Sequence, residues 1–186
     1  MPGMQYLVSF ALLVALAAWI VGVYNNLVHL HGVVCNCWRL WCKAVHQRNQ
    51  SLEEFASVFV YFVSKDDPLP GKLHRFAADS ERSLALGAES GGKISLGFAC
   101  GAELLLRQAV TKSVHMVEES AVMRSHEHLL RVSSKLSAAL YQQDQMAENY
   151  NRAAVEYNAA LRGVSARLLA PLFGFAKVLP LEIREQ

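Results

Sequence analysis

The chain has 186 residues, room for one domain plus a membrane segment, since a span takes about 20 residues and domains cluster near 100 to 150. With 18 basic and 16 acidic side chains its net charge is +2, too weak a field to hold nucleic acid by neutralising phosphates. The apolar fraction of 53% exceeds the roughly 45–50% of an ordinary soluble domain, and the excess is gathered near the N-terminus.

After a short tail, residues 1–3, the stretch from Met4 to Tyr24 contains no charged side chain, and the first Lys or Arg anywhere is Arg39. As a helix it would be roughly 30 Å long, the thickness of the hydrocarbon core. The sequence therefore predicts a transmembrane helix over 4–24, with Tyr6, Trp19 and Tyr24 as aromatic residues for the interfacial belts. A cleaved signal peptide is the rival, because Ala15-Leu16-Ala17 has the small-x-small pattern of a cleavage site. It is the weaker reading: no Lys or Arg precedes the apolar run, which continues past that point. Arg39, Lys43 and Arg48 all follow the span, so the positive-inside rule places the N-terminus outside and the remainder, Cys100 included, in the cytosol. Thiols in a cytosol stay reduced, and Cys35, Cys37, Cys42 and Cys100 form no Cys-x-x-Cys unit. They are expected to be small helix residues rather than metal ligands.

Beyond Tyr24 the apolar pattern becomes helical. Val34, Trp38, Trp41, Val45, Leu52, Phe55, Phe59 and Phe62 recur at steps of three, four and seven, which predicts one helix of about 60 residues reaching Val63. Asp66-Asp67-Pro68-Leu69-Pro70-Gly71 ends it in a tight reversal. A second helix is predicted from Lys72, broken at Ser90-Gly91-Gly92. A third runs from Lys93 to Glu119, with Leu96, Leu104, Val110, Val114 and Val117 on one side, and Gly97 and Gly101 offering close approach to another backbone. Ser120 to Ser125 is a boundary, with Ser125 as the expected N-cap of the next helix. The cleanest stripe follows: Leu129, Val132, Leu136, Ala139, Gln143, Met146, Tyr150, Ala153, Tyr157, Leu161, Val164 and Leu168, heptad-like over more than five turns. Gly163 is expected to bend this helix and Pro171 to stop it. The expected fold class is all-α: an N-terminal transmembrane helix continuing into a long antiparallel helical bundle of about four helices, with Trp38, Trp41 and Phe55 facing Leu136, Met146, Tyr150 and Tyr157.

Certain residues carry a resemblance to a known family. Tyr150-Asn151 and Tyr157-Asn158 form a repeated pair seven residues apart, Tyr24-Asn25 follows the apolar segment, and Leu27, Val28, Leu30, Val34, Trp38 and Arg48 continue in register. Together with Leu168-Leu169-Ala170 and Phe173-Gly174-Phe175, these make the chain similar to the LemA family over about residues 4–175. The resemblance implies a LemA-like helical domain over 25–175 and a C-terminal tail over 176–186, in a membrane-anchored helical protein of the bacterial inner membrane. The chain departs from the family pattern at Leu40, Cys42, Leu140 and Ala147, where polar residues are expected, and at Glu53, where the family carries Pro. Independently of the family, Tyr150 and Tyr157 fall in one row along a helix and Asn151 and Asn158 in its neighbour. The tyrosines suit a seam and the asparagines a register-setting role. A partner surface built on Tyr24, Asn25, Trp38, Trp41, Tyr150, Asn151, Tyr157 and Asn158 is the alternative.

No pattern points to catalysis. His126-Glu127-His128 has the wrong spacing for two metal ligands on one helical face, and Gly91-Gly92-Lys93 lacks the rest of a phosphate-binding loop. No catalytic residue, metal, cofactor or small-molecule substrate is expected. The partners expected are the lipid bilayer and either an unidentified protein or further copies of the chain. The last would make it a structural self-associating membrane protein, with Trp41, Phe59, Phe62 and Phe173 to Phe175 as its apolar surface.

Overall fold

A computed structural model describes residues 2–90 and 93–181, and the side chains of residues 6–84 and 101–181. The chain forms α1 (Pro2–Phe59), α2 (Leu69–Ser90), α3 (Lys93–Glu119), α4 (Ala121–Arg124), α5 (Glu127–Arg162) and α6 (Val164–Leu169). No strand occurs among the described residues. The expected break at Ser90-Gly91-Gly92 falls between α2 and α3, and both glycines lie outside the described residues, as do the side chains of Leu96, Gly97 and Cys100. Two compact units are present, one from Met1–Cys37 with Asn151–Pro180 and the other from Trp38–Tyr150 with Leu181–Gln186.

The second unit is built on the stripe of α1. Leu52, Phe55 and Phe59 share a core with Leu73 and Ala77 of α2, Leu106 and Val110 of α3, Met123 of α4, and Leu129 and Leu136 of α5. Each fully buried Leu or Phe contributes about 1.5–3 kcal/mol. Within this unit α1 and α5 run antiparallel: the Lys135 ammonium lies 2.7 Å from the Glu54 carboxylate, Arg48 reaches Gln143, and the Trp38 ring contacts Tyr150 with centroids 5.6 Å apart. The α1 partner recedes along its helix as the α5 partner advances. Trp41 and Phe59 are fully buried here and Phe62 is half-buried, so Trp41 and Phe59 are not the apolar surface expected to be available for self-association.

Several boundaries differ from the sequence reading. Helix α1 stops at Phe59 rather than Val63, because its end tightens into bonds from Tyr61 to Val58 and from Phe62 to Phe59. That tightening sets the Phe62 ring against His126, 4.9 Å between centroids. Helix α2 starts at Leu69, earlier than Lys72. The Asp67 carboxylate accepts from the Leu69 N–H at 2.8 Å, and Pro70 sits in a first turn whose N–H groups have no helical partner. Ser125 is not the cap of α5: its hydroxyl donates to the Val122 carbonyl, while His126 Nδ1 accepts from the Leu129 N–H at 3.3 Å. Ser120 caps α4 instead, accepting from Met123. Gly101 faces open space rather than a neighbouring backbone.

In the first unit, Leu27 and Val34 of α1 are buried, while Tyr6 through Val21 are almost wholly exposed. Helix α5 ends at Arg162, and Gly163 restarts the chain as α6. The shift moves Val164 and Leu168 out of the stripe to 80% and 67% exposure and buries Ala166, Leu169 and Ala170 in their place. The chain then reverses at Gly174, which has φ +75°. The Phe175 N–H bonds to the Ala170 carbonyl at 2.9 Å and the Gly174 N–H to Pro171 at 3.4 Å, the two bonds of a Schellman motif. An added methyl at Gly174 would meet nothing within 4 Å, so Gly174→Ala costs only its left-handed backbone, about 1 kcal/mol. Thermal unfolding of the full chain in detergent should show that small loss. An unchanged midpoint would mean the turn is not held in this conformation.

Candidate functional site: a buried polar layer and an aromatic cluster

Each long helix of the second unit contributes a polar side chain to one buried layer, where its stripe calls for an apolar one. On α1 the row Trp41, Val45, Leu52, Phe55 passes through Arg48; on α3 Leu106 and Val110 follow Glu103; Ser80 extends Leu73 and Ala77 on α2; and Gln143 lies between Leu136 and Tyr150 on α5. All four are buried, Arg48 at 1% and Glu103 at 2% exposure. The guanidinium grips the carboxylate with both ends, Nη1 to Oε2 at 2.7 Å and Nη2 to Oε1 at 2.9 Å. It also donates from Nη1 to Gln143 Oε1 at 3.1 Å, from Nη2 to Ser80 Oγ at 3.1 Å and from Nε to Asn49 Oδ1 at 2.9 Å. These use all the donors a guanidinium has. Glu103 is equally complete, since Gln143 Nε2 donates to Oε2 at 2.5 Å and the Ser80 hydroxyl donates to Oε1. The layer thus engages both of its charged groups inside the protein. Its chemistry is recognition among the four helices: sliding one by a turn would strand a charge away from water.

A branch leads outward. Asn49 Nδ2 donates to Glu81 Oε1 at 2.8 Å, and the same oxygen lies 3.2 Å from His46 Nδ1. Burial pushes the nearby Cys42 thiol up to about 11, against a backbone hydrogen bond that lowers it and with the Glu81 charge adding to the rise. Cys42 is therefore a neutral, weakly nucleophilic thiol at physiological pH. Among the described residues no group of three or more His, Cys, Asp or Glu could hold a metal ion. Arg107 and Asp144 form a further two-pronged pair between α3 and α5.

The Glu103 carboxyl carries a pH dependence. Burial by itself would raise it, but the Arg48 charge and the bonds from Arg48, Ser80 and Gln143 prevail and hold it below its ordinary value. In the unfolded chain this group takes up a proton near pH ~4.3, whereas in the folded chain it remains ionised to lower pH. Between those points the unfolded state binds more protons, so the stability it contributes is present above the unfolded value and lost as pH falls through the folded one. Denaturation midpoints measured from neutral to acid pH should drop below about pH 4.3, and less steeply in Glu103→Gln. Equal slopes in the two proteins would assign the acid loss to other carboxylates.

The first unit holds the aromatic cluster. Tyr24 contacts Phe173 and Phe175, with centroids 4.9 and 5.9 Å away, and His31 contacts Tyr157 and Phe175 at 5.6 and 6.3 Å. Asn158 holds the chain beyond the turn: its Nδ2 donates to the Val178 carbonyl at 2.7 Å and its Oδ1 accepts from the Val178 N–H at 3.1 Å. That is a clamp on extended backbone, not the cross-helix bond expected of this asparagine. Of the eight surface candidates, Tyr24, Tyr157 and Asn158 join this cluster, and Trp38, Trp41 and Tyr150 meet in the second unit. Asn25 is exposed beside Tyr24, and Asn151 is half-buried. Arg48, Ser80 and Glu103 were invisible as a set, although the gap at Arg48 in the α1 stripe was their signal.

Fold and site together define an all-helical protein that has, among the described residues, one helix long and apolar enough to cross a membrane. Comparison with family models, curated proteins and solved structures finds no match to this chain.

Proposed function

We propose that this chain is a non-enzymatic, membrane-anchored helical bundle, a diverged LemA-type protein acting as an interaction or scaffold module at the bacterial inner membrane. The observation that carries it lies in α1: an 18-residue window of mean hydropathy 2.4 is wholly unburied, while the same helix continues into a well-packed core. A bare apolar face of that length is stable in lipid and not in water. The closed polar layer supports a scaffold, because its bonds join four helices and favour one arrangement of them. The Tyr-Asn pairs and the basic residues beyond the span support the family reading and an orientation with the N-terminus outside and the bundle cytoplasmic.

The anchor is tested by alkaline carbonate extraction of membranes containing the full chain, with sequencing of the mature N-terminus. Retention in the pellet with residues 4–24 present is expected. A soluble product starting near Ala18 would replace the anchor with a signal peptide. Labelling Cys100 with a membrane-impermeant thiol reagent in intact cells would reverse the topology; reaction only after lysis and denaturation is expected.

A further inference from the structure

The first unit exposes apolar side chains in a second place. On α6 and the turn after it, Val164, Leu168 and Leu172 stand at steps of four, with exposures of 80%, 67% and 76%, and Phe173 and Leu179 are also exposed. The other side of the same segment is already filled, since Ala166, Leu169 and Ala170 are buried. This element therefore has an inner apolar face that it uses and an outer one that nothing among the described residues covers.

Position and charge identify what covers it. Phe173 lies on Tyr24, the residue that closes the exposed apolar run of α1, so the outer face is continuous with the surface the anchor presents to lipid. The segment between Glu156 and Glu182 contains no acidic residue, but it carries Arg162, Arg167 and Lys177, all exposed. From Met4 to Trp38, by contrast, α1 has no Lys or Arg. The positive charge that a span ordinarily carries next to its cytoplasmic end is thus supplied from the other end of the sequence, through the fold. An apolar face flanked by cations and joined to aromatic residues at the end of a span has the chemistry of an element lying in the headgroup region of an anionic bilayer.

We infer that residues 162–179 form a second membrane contact, in which Val164, Leu168, Leu172 and Phe173 enter the lipid interface while Arg162, Arg167 and Lys177 meet anionic headgroups. The inference rests on the anchor proposed above. It is tested on the unmodified full chain, reconstituted in vesicles of phosphatidylcholine alone or mixed with phosphatidylglycerol. Each preparation contains a phospholipid with a photoactivatable carbene precursor near the top of its acyl chain, and labelled tryptic peptides are mapped by mass. Label is expected on the peptides 163–167 and 168–177 as well as within residues 6–24 of the N-terminal peptide 1–39, rising several-fold on 168–177 when phosphatidylglycerol is present. Leu172→Asp should remove most of the label from 168–177 and leave that on 6–24 intact.

Label confined to 6–24 would overturn this inference and keep the anchor, the face then being covered by a second copy or left in water. Absence of label from both regions would overturn the two readings together. Labelling of 168–177 that ignores phosphatidylglycerol would overturn the role given to the three cations.

Discussion

Replacing Arg48 by Met should cost about 3–5 kcal/mol, because it leaves the Glu103 carboxylate buried without its counter-charge. The pair sits at 1% and 2% exposure, and the remaining donors to Glu103, from Ser80 and Gln143, are neutral. Against a total of about 5–15 kcal/mol for an ordinary domain, such a loss takes the second unit close to unfolding. Arg48→Met with Glu103→Leu is expected to cost less than Arg48→Met alone, since no charge is left buried and only the neutral Ser80 and Gln143 lose their partners. Chemical denaturation of the three proteins in detergent decides the matter. A cost under about 1 kcal/mol for Arg48→Met would mean that water reaches the layer. A double variant that stays folded but populates more than one assembly would show that the layer selects a single helix arrangement.

The second large effect is expected at Tyr157. Its ring is fully buried against His31, and cutting a buried aromatic to Ala costs about 3–5 kcal/mol. Its hydroxyl has no hydrogen-bond partner among the described residues, and a buried unsatisfied polar group costs about 1–3 kcal/mol. Tyr157→Phe should therefore leave the melting temperature unchanged or raise it. The two substitutions separate packing from chemistry at the Tyr-Asn pair. Should Tyr157→Phe be as harmful as Tyr157→Ala, the hydroxyl is bonded and the tyrosine is more than a seam residue. Should it keep full stability yet abolish capture of a protein partner, the pair belongs to a recognition surface.

How far the sequence could be read follows from which forces act locally. Periodicity reports burial of apolar side chains, so the stripes of α1 and α5 were legible, and Leu52, Phe55, Leu129, Leu136 and Tyr157 lie buried as their spacing requires. A stripe position filled by a charge gives the opposite impression. Arg48 reads as an interruption until Glu103, more than fifty residues away, is brought beside it, and no local pattern links the two. Helix ends were less legible because several side chains compete for the same cap: Ser125 looked suitable, but a histidine took the position. The outward turn of Val164 and Leu168 escaped notice for a related reason, since Gly163 resets the helical phase where the spacing itself continues unbroken.

The closed hydrogen bonding of Arg48 also gives this protein an internal clock. The protons on its two terminal nitrogens are bonded to groups from three other helices, and solvent can replace them only when those helices part. In deuterated water the guanidinium protons of ordinary surface arginines vanish at once, whereas those of Arg48 should persist for as long as the four helices stay together. Their decay would time the rarest opening of the second unit, one that involves all four helices, and would distinguish it from the fraying of any single one.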